Sequence, residues 1–336
     1  MSTVDIKVNN SQKCPACKFG DFKIIYELPY GKVVSCKDCD LAFTIFTDIE
    51  TFREANKTWS NPEQIKSAIY ALPIARENVK YRMNLINKFS KGKKLIEFGP
   101  NTGEFIYEAH KNGYDITAVD HCFAILMLNK IQNLKYLNAD ANLSNINEKY
   151  DVVVACHILE HMEDPQAFIL KSKQILNTNG ILFIEVPNYD SFTRKVEGKE
   201  WHLFYEYHIT HFSSTSLTDL LKKQGFKIRF VKTLQSPECF ISNVYLLLRH
   251  SLWTLVKKIL PVKEIELQKR NYNILESENH FVESLQEEKK ILNSFRGRIY
   301  RLEIRVKKIF CSVFFPFAWL ISKFNKGDIL VVIAEI

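Results

Sequence analysis

Four cysteines near the start of the sequence have the residue type and spacing of a metal site. Cys14 and Cys17 form one Cys-x-x-Cys pair, Cys36 and Cys39 form a second, and eighteen residues separate the two pairs. Four thiolates match the tetrahedral ligand set of structural zinc and leave no open position for chemistry. The spacing therefore predicts a structural Zn²⁺ ion on these four residues. Metal-free turns and a thioredoxin-like redox pair are the alternatives.

A second candidate site is the segment Glu97-Phe98-Gly99-Pro100-Asn101-Thr102-Gly103, which follows a short apolar stretch. Gly99 and Gly103 have no Cβ, so a nucleoside or an amino acid can lie against the backbone there. The helix that follows would offer free N–H donors to a ligand. A nicotinamide dinucleotide would need the pattern Gly-x-Gly-x-x-Gly, but positions 101 and 104 are Asn and Glu. The acids at 97 and 104 suit a cationic ligand better than a pyrophosphate, and a purely structural turn is the alternative.

These residues are positioned by strands and helices that alternate about every ten to fifteen residues. Buried strands are predicted over 94–98, 115–120, 134–137, 151–156, 181–186, 226–234 and 329–335, and helices over 103–112, 123–131, 165–176 and 215–224. Such alternation is typical of an α/β fold with a parallel sheet covered on both faces. The glycine segment then follows the first of these strands, and the cysteine pairs flank a short hairpin over 22–34.

The sequence divides into five segments. They are a zinc ribbon (1–50), a helical linker or cap (51–92), the main α/β core (93–249), a helical insertion (250–325) and the last core strand (326–336). Heptad-like apolar spacing over 285–313 favours a coiled-coil homodimer. Aromatic and basic residues over 309–323 permit docking on a membrane surface, and a helical hairpin packed on the core is the leading interpretation of the insertion.

The overall composition excludes few classes of protein. The chain has 336 residues, of which 46 are Lys or Arg and 38 are Asp or Glu, so the net charge is +8. This excess permits an acidic partner, such as a nucleotide-linked substrate, a phospholipid surface or RNA, but selects none of them. We see neither a secretory signal nor an apolar run of about 18 residues, so we expect a cytoplasmic protein. If the chain docks on a membrane, it would lie at the inner face.

Several motifs occur together in a fixed order along the chain. They are the glycine segment 97–103, the stretch Cys156-His157-Ile158-Leu159-Glu160-His161-Met162-Glu163-Asp164-Pro165, and 180–188. In this order they resemble motif I, the motif after strand four and the fifth strand of class I S-adenosylmethionine-dependent methyltransferases of the type 11 and type 23 groups. The resemblance covers about residues 93–235 and the last strand, and Asn101 departs from it because many members have glycine there.

That resemblance implies a Rossmann-like seven-stranded sheet and S-adenosyl-L-methionine as the cofactor. It implies that Asp120 accepts hydrogen bonds from both ribose hydroxyls and that Asp140 lies near the adenine amino group. The implied cofactor-binding residues are Glu97, Phe98, Gly99, Gly103, Asp120, His121, Asp140, Ala141, Cys156 and His157.

The segment from Trp201 to Ser213 contains the candidates for removing a proton from a methyl acceptor. It follows the fifth predicted strand of the core, at the carboxyl edge where open α/β sheets bind substrates, and histidine accepts a proton near neutral pH. The segment looks like the His-x-x-x-Phe-Ser region of type 23 members and partly like the Tyr-His-Glu-His run of sugar C-methyltransferases. The comparison implies His208 as the base, with Tyr205 and His211 as further catalytic candidates, and packing or capping roles are the alternative. Residues 206 and 207 do not keep the C-methyltransferase run, which favours O-methylation.

The leading hypothesis is O-methylation of a sugar or another small hydroxyl acceptor carried on a nucleotide or a lipid. A zinc ribbon ahead of this domain type resembles sugar methyltransferases of antibiotic and surface-polysaccharide pathways. The alternatives are a sugar C-methyltransferase, an RNA base methyltransferase that grips RNA with its ribbon, and a non-catalytic scaffold. Few basic residues in the ribbon and the lack of an Asn-Pro-Pro-Tyr-type motif argue against RNA, so no nucleic-acid partner is expected. The acids at 97, 120 and 140 argue against a scaffold.

Overall fold

The computed structural model describes residues 13–50, 53, 78–120, 131, 134–138, 146–235, 316 and 320–336. The chain divides into two compact units, Met1–Leu234 with Ile321–Ile336, and Gln235–Leu320. Of the second unit, only residues 235, 316 and 320 are described, so the predicted dimer segment 285–313 and nearly all of the docking stretch before 320 lie outside the described residues. Within the described residues, no helix is both long and apolar enough to cross a membrane.

Strands of the first unit form two sheets. In chain order they are β1 (Phe22–Leu28), β2 (Gly31–Cys36), β3 (Ala42–Phe46), β4 (Lys94–Phe98), β5 (Asp115–Asp120), β6 (Lys135–Asn138), β7 (Tyr150–Cys156), β8 (Leu176–Pro187), β9 (Thr210–His211), β10 (Lys227–Leu234) and β11 (Ile329–Glu335). The helices are α1 (Glu104–Lys111), α2 (Pro165–Ile175), α3 (Phe192–Glu197) and α4 (Ser214–Lys223), and residues 78–89 are also helical.

The larger sheet has seven strands in the order β10-β11-β8-β7-β4-β5-β6. Strands β4 to β8 pair in parallel, whereas β11 runs antiparallel to both β8 and β10. In β7, Val153 and Ala155 belong to one apolar cluster while Val152 and Val154 belong to a second. Apolar residues therefore cover both faces, as a parallel sheet requires, and the predicted seven-stranded α/β fold is confirmed.

The smaller sheet has the order β1-β2-β3-β9. The antiparallel hairpin β1–β2 is the one predicted between the cysteine pairs, and β3 continues it. Its fourth strand comes from the core, because β9 pairs antiparallel with β3 through Ala42 opposite His211 and Phe43 opposite Thr210. The cysteine-bearing segment is thus joined by backbone pairing to the residues that directly follow His208.

Strand β8 differs from its prediction, which placed a turn over 177–180 and began the strand at Ile181. In the structure β8 starts at Leu176, directly after α2. Leu176 already pairs with Tyr150, and the side chain of Asn177 donates to Asp151 at 2.8 Å. The pairing then passes from Tyr150 opposite Leu176 to Val152 opposite Ile181, and Asn179 has a φ of 62°. Residues 177–180 therefore form a bulge within β8 at the position of the predicted turn.

Candidate functional site

The four predicted zinc ligands lie together in the structure. One possible ligand atom from each of Cys14, Cys17, Cys36 and Cys39 lies within 4.8 Å of the others. The Sγ atoms of Cys14 and Cys39 are 3.6 Å apart, and those of Cys17 and Cys36 are 3.4 Å apart. Sulfur atoms about 2.3 Å from a zinc ion would be roughly 3.8 Å apart, so this cluster fits a tetrahedral zinc ion.

Both cysteine pairs adopt the same backbone turn. The N–H of Cys14 donates to the carbonyl of Phe19 and that of Cys36 to the carbonyl of Leu41, at 2.8 and 3.0 Å. In each turn the residue four positions after the first cysteine has a positive φ, 62° at Lys18 and 56° at Asp40. Two equivalent turns therefore present the thiols at the open end of the hairpin, where Phe22 pairs with Cys36.

Two of these thiols, Cys17 and Cys39, have a raised pKa. Burial raises the pKa of Cys17 to about 12, and a hydrogen bond to Cys14 together with burial raises the pKa of Cys39. Without a cation both groups stay protonated at neutral pH. Zinc is the kind of cation that would convert them to thiolates and offset their burial.

The predicted cofactor loop leaves β4 with a left-handed backbone. Gly99 has a φ of 65°, Asn101 of 50° and Gly103 of 80°. A Cβ at position 99 would lie 2.2 Å from Cδ1 of Ile158, which belongs to the loop after β7. Glycine at 99 therefore lets the two loops pack against each other at the carboxyl edge of the sheet, and Gly103 caps the start of α1.

Glu97 is the buried acid of this loop. Its side chain is 3% exposed, and its Oε2 has no hydrogen-bond partner among the described residues. Its pKa is raised to about 8, mainly by burial. Arg82 opposes this rise, and Asp120 adds to it. A buried carboxyl oxygen without a partner is costly, and the cationic end of an S-adenosylmethionine molecule would both satisfy it and favour ionisation of the acid.

Asp120 is the last residue of β5 and lies beside the loop. The preceding residue, Val119, pairs with Phe98, and the carbonyl of Val119 accepts a hydrogen bond from the N–H of Gly99 at 2.9 Å. The structure thus brings Glu97, Phe98, Gly99, Gly103 and Asp120 to one edge of the sheet. Three further predicted cofactor residues, His121, Asp140 and Ala141, lie outside the described residues, so their roles stay predictions.

An ion-pair network that the sequence did not reveal surrounds His157. This residue has a φ of 55°, and its ring contacts Glu160 through Nδ1 and Glu185 through Nε2, each at 3.2 Å. Arg82, from the helical residues 78–89, holds the same Glu185 with two donors, of which Nε lies 2.9 Å from Oε2. Although burial opposes it, the two carboxylates raise the pKa of His157 to about 9. Burial is likewise outweighed at Glu185, whose pKa Arg82 and His157 lower.

Cys156 and His157, both predicted to line the cofactor, therefore lie where β7 leaves the sheet. Burial raises the pKa of Cys156 well above its usual range, which keeps it a neutral thiol. Glu185 could have been suspected from its place in the buried stretch Ile-Glu-Val of the fifth core strand. Arg82 had no such signal, because it lies in an ordinary amphipathic helix 103 residues away from its partner.

His208, the predicted base, lies in a second buried cluster with Glu160 and His161. One possible ligand atom from each of the three lies within 4.8 Å of the others. The two imidazole rings meet edge to face with centroids 4.8 Å apart. Nδ1 of His208 contacts the carbonyl of Leu203 at 2.8 Å, so Nε2 is its nitrogen for accepting a proton. Burial lowers the pKa of His208 to about 4, so that the ring is neutral near pH 7.

Tyr205 lies beside this cluster. Its ring stacks on Tyr207 at 4.9 Å and meets His208 edge-on at 5.2 Å, and 39% of the residue is exposed. An exposed aromatic next to the buried histidine is well placed to contact an acceptor molecule. Its catalytic role remains a prediction.

His211 lies in the joint between the two sheets. It is 3% exposed, its Nε2 is 2.8 Å from Oγ1 of Thr44, and its ring stacks on Tyr189. Burial lowers its pKa to about 3. These contacts give His211 a structural place between ribbon and core, and its assignment as a catalytic residue stays a prediction.

The central part of the chain is similar in sequence to known methyltransferases. A family model described as a methyltransferase domain, of type 23, matches residues 71–230. The ubiquinone biosynthesis O-methyltransferase of Pasteurella multocida is 25% identical over 159 residues, which cover 42% of this chain and 64% of that protein. The one of Cereibacter sphaeroides is 26% identical over 149 residues, with 40% and 60% covered. The chain thus spans somewhat less than two thirds of the length of these relatives.

Among solved structures, a SAM-dependent methyltransferase from Archaeoglobus fulgidus is similar with a TM-score of 0.45 and 16% identity, covering 78% of this chain and 94% of that one. The family match includes the cofactor loop, the motif after β7 and the segment of His208. Residues 71–230 therefore belong to the class I S-adenosylmethionine-dependent methyltransferases.

Proposed function

We propose that this protein transfers the methyl group of S-adenosylmethionine to a hydroxyl oxygen of a small acceptor, with a sugar carried on a nucleotide or a lipid as the expected class. The observation that carries the proposal is the buried cluster of Glu160, His161 and His208 beside the cofactor loop. The cluster and the cofactor loop are adjacent because Ile158, two residues before Glu160, packs on Gly99. Acceptor and methyl donor would therefore meet at one edge of the sheet.

The cofactor would lie across the loop between β4 and α1. The backbone at Gly99 and Gly103 allows a close approach, Asp120 would accept from the ribose hydroxyls, and Glu97 would face the cationic amino acid end. Asp140, His121 and Ala141 would complete the adenine side. Held this way, the sulfonium methyl would be aligned for an in-line displacement.

In the transfer step, the acceptor oxygen attacks the methyl carbon as the carbon–sulfur bond breaks. A carbon–oxygen bond forms, the bonding pair returns to sulfur, and S-adenosylhomocysteine leaves as a neutral thioether. The hydroxyl proton goes to Nε2 of His208, which the Leu203 carbonyl holds in the neutral form that can accept it. Glu160, a buried carboxylate of lowered pKa, would stabilise the resulting imidazolium.

Two observations support oxygen on a small molecule over a base of RNA. The curated relatives are O-methyltransferases by name. Three of the few lysines in the ribbon are engaged in ion pairs within the protein, Lys18 with Asp164, Lys32 with Glu27 and Lys37 with Asp21. A ribbon whose lysines are already paired with acids of the same chain is a poor surface for a phosphate backbone.

The test has a binding stage and a product stage. Calorimetry with S-adenosylmethionine should give binding that weakens about tenfold or more in Asp120→Ala, roughly 1.4 kcal/mol or more. Asp115→Ala is the matched control, since Asp115 is an exposed acid at the opposite end of the same strand and should keep wild-type affinity. No binding by the wild-type protein would refute a methyl-transfer function.

The product stage uses labelled methyl donor and a panel of nucleotide-linked sugars and phenols. The label should appear on oxygen, as read by NMR, and His208→Gln should lower the rate by about a hundredfold or more while cofactor affinity stays. A product methylated on carbon or nitrogen would overturn the assignment of the acceptor atom.

A further inference from the structure

We propose that Glu160, His161 and His208 bind a divalent transition-metal ion at the acceptor site, separate from the zinc of the ribbon. Two imidazoles and one carboxylate are the ligand set of many catalytic zinc and iron centres. Zinc is the occupant that we expect, since it accepts nitrogen and oxygen ligands together.

The spacing of the three side chains fits such an ion. Their ligand atoms lie within 4.8 Å of one another. Nitrogen and oxygen ligands about 2.1 Å from a zinc ion are roughly 3.4 Å apart. Side-chain rotations that shorten a separation of 4.8 Å by about 1.4 Å would therefore close the site.

Both histidines are already held as metal ligands usually are. Nδ1 of His161 is 2.7 Å from the carbonyl of Tyr207, and Nδ1 of His208 is 2.8 Å from that of Leu203. A backbone carbonyl at one ring nitrogen fixes the tautomer and orients the other nitrogen, Nε2, towards the metal. Finding this arrangement at two adjacent histidines distinguishes the cluster from a chance contact of rings.

Glu160 supplies the third, independent observation. The residue is 1% exposed, and no group in the described part of the chain hydrogen-bonds to its Oε2. Its other oxygen, Oε1, is held by Nδ1 of His157 at 3.2 Å. A buried carboxylate oxygen without a partner costs free energy, and a cation between it and the two Nε2 atoms would remove that cost.

An ion here would also change how the acceptor is activated. This consequence rests on the proposed function, whereas the binding of the ion does not. Three protein ligands leave positions open for the acceptor. A hydroxyl bound there would lose its proton to solvent near neutral pH, as metal-bound water does, and His208 would then act as a ligand instead of as the base. The acceptor class would then be one with two adjacent oxygens, a vicinal diol or a catechol, which could chelate the ion while one oxygen is methylated.

The experiment counts metal on the full chain. Protein dialysed against Zn²⁺ and then against metal-free buffer should hold one more equivalent of zinc per chain than His161→Gln/His208→Gln. Cys17→Ser/Cys39→Ser should lose the ribbon equivalent instead, and His110→Gln, on the surface of α1, is the control that should lose none. Cofactor affinity of the double histidine variant shows whether it is folded.

The absorption spectrum of bound Co²⁺ distinguishes thiolate ligands from nitrogen and oxygen ligands at each metal site. In the cysteine variant, bound Co²⁺ should show weak visible bands without the intense sulfur-to-metal charge transfer of a thiolate site, and Glu160→Gln should abolish them. Equal metal content in the wild type and the double histidine variant would overturn the proposal. Failure to bind S-adenosylmethionine would leave this count unaffected and would refute only the proposed function.

Discussion

Thr44 in strand β3 and His211 in strand β9 share a buried hydrogen bond of 2.8 Å between residues 167 positions apart in the chain. The bond joins the cysteine ribbon to the segment that carries His208, and backbone pairing reinforces it, because the N–H of Thr44 donates to the carbonyl of Ile209 at 2.7 Å. The ribbon therefore supports the segment that carries His208. Under the proposed function, loss of the ribbon should affect acceptor binding more than cofactor binding.

Thr44→Val tests the joint itself. Valine keeps the shape of threonine but leaves Nε2 of His211 buried without its partner, so the free energy of unfolding should fall by about 1 to 3 kcal/mol. Urea unfolding measures the change. Thr47→Val, at an exposed position just after the same strand, is the control and should change stability by less than about 0.5 kcal/mol. Equal effects of the two substitutions would show that the Thr44 hydroxyl contributes nothing at the joint.

Loss of the ribbon metal should weaken acceptor binding and slow turnover, with little effect on cofactor binding. In Cys17→Ser/Cys39→Ser we expect KM for the acceptor to rise and kcat to fall by about tenfold or more. The affinity for S-adenosylmethionine should change by less than about threefold, because the cofactor loop follows β4 of the larger sheet, whereas the ribbon strands pair in the smaller sheet. Steady-state kinetics and calorimetry on the same samples separate the two effects. Parallel loss of cofactor binding would mean that the ribbon supports the whole domain rather than the segment that carries His208.

The sequence predicted those features that depend on local spacing. The cysteine pairs, the seven core strands and the glycine loop each follow from residues close together in the chain, and the structure confirms the fold they indicate. Contacts between distant residues had no such signal. The pairing of β3 with β9, the hydrogen bond from Thr44 to His211 and the ion pair of Arg82 with Glu185 each join residues more than a hundred positions apart. The sequence therefore left His211 as a catalytic candidate with packing as the alternative, and its burial and its contact with Thr44 give it a structural place.

Breaking the ion pair of Arg82 should be costly. Arg82 and Glu185 have side chains 15% and 7% exposed, so Arg82→Met leaves a carboxylate buried beside His157 without its main counter-charge. Loss of one partner of a buried pair costs about 3 to 5 kcal/mol. Arg229→Met, which breaks the more exposed pair with Glu335, should cost about 1 kcal/mol or less. Urea unfolding of both variants gives the comparison, and similar costs would show that burial does not strengthen the Arg82 pair.

Glu97 should make stability depend on pH. Its pKa rises on folding from 4.5 to about 8, mainly because it is buried, so between these values the folded protein keeps a proton that the unfolded chain loses. The contribution of Glu97 to the free energy of unfolding therefore falls as the pH rises from 4.5 to about 8 and is constant above that range. Glu97→Gln cannot titrate, so its stability relative to wild type should increase with pH, with an upper limit of about 5 kcal/mol.

Urea unfolding without cofactor at about pH 5.5 and pH 8 measures this difference for Glu97→Gln. Every other group titrates in both proteins, so the change in the difference between the two pH values isolates Glu97. A larger gain for the glutamine at pH 8 is the expected result. If the two proteins differ equally at both pH values, Glu97 is ionised throughout, and the acid that faces the cofactor loop must already have a cationic partner in the free protein.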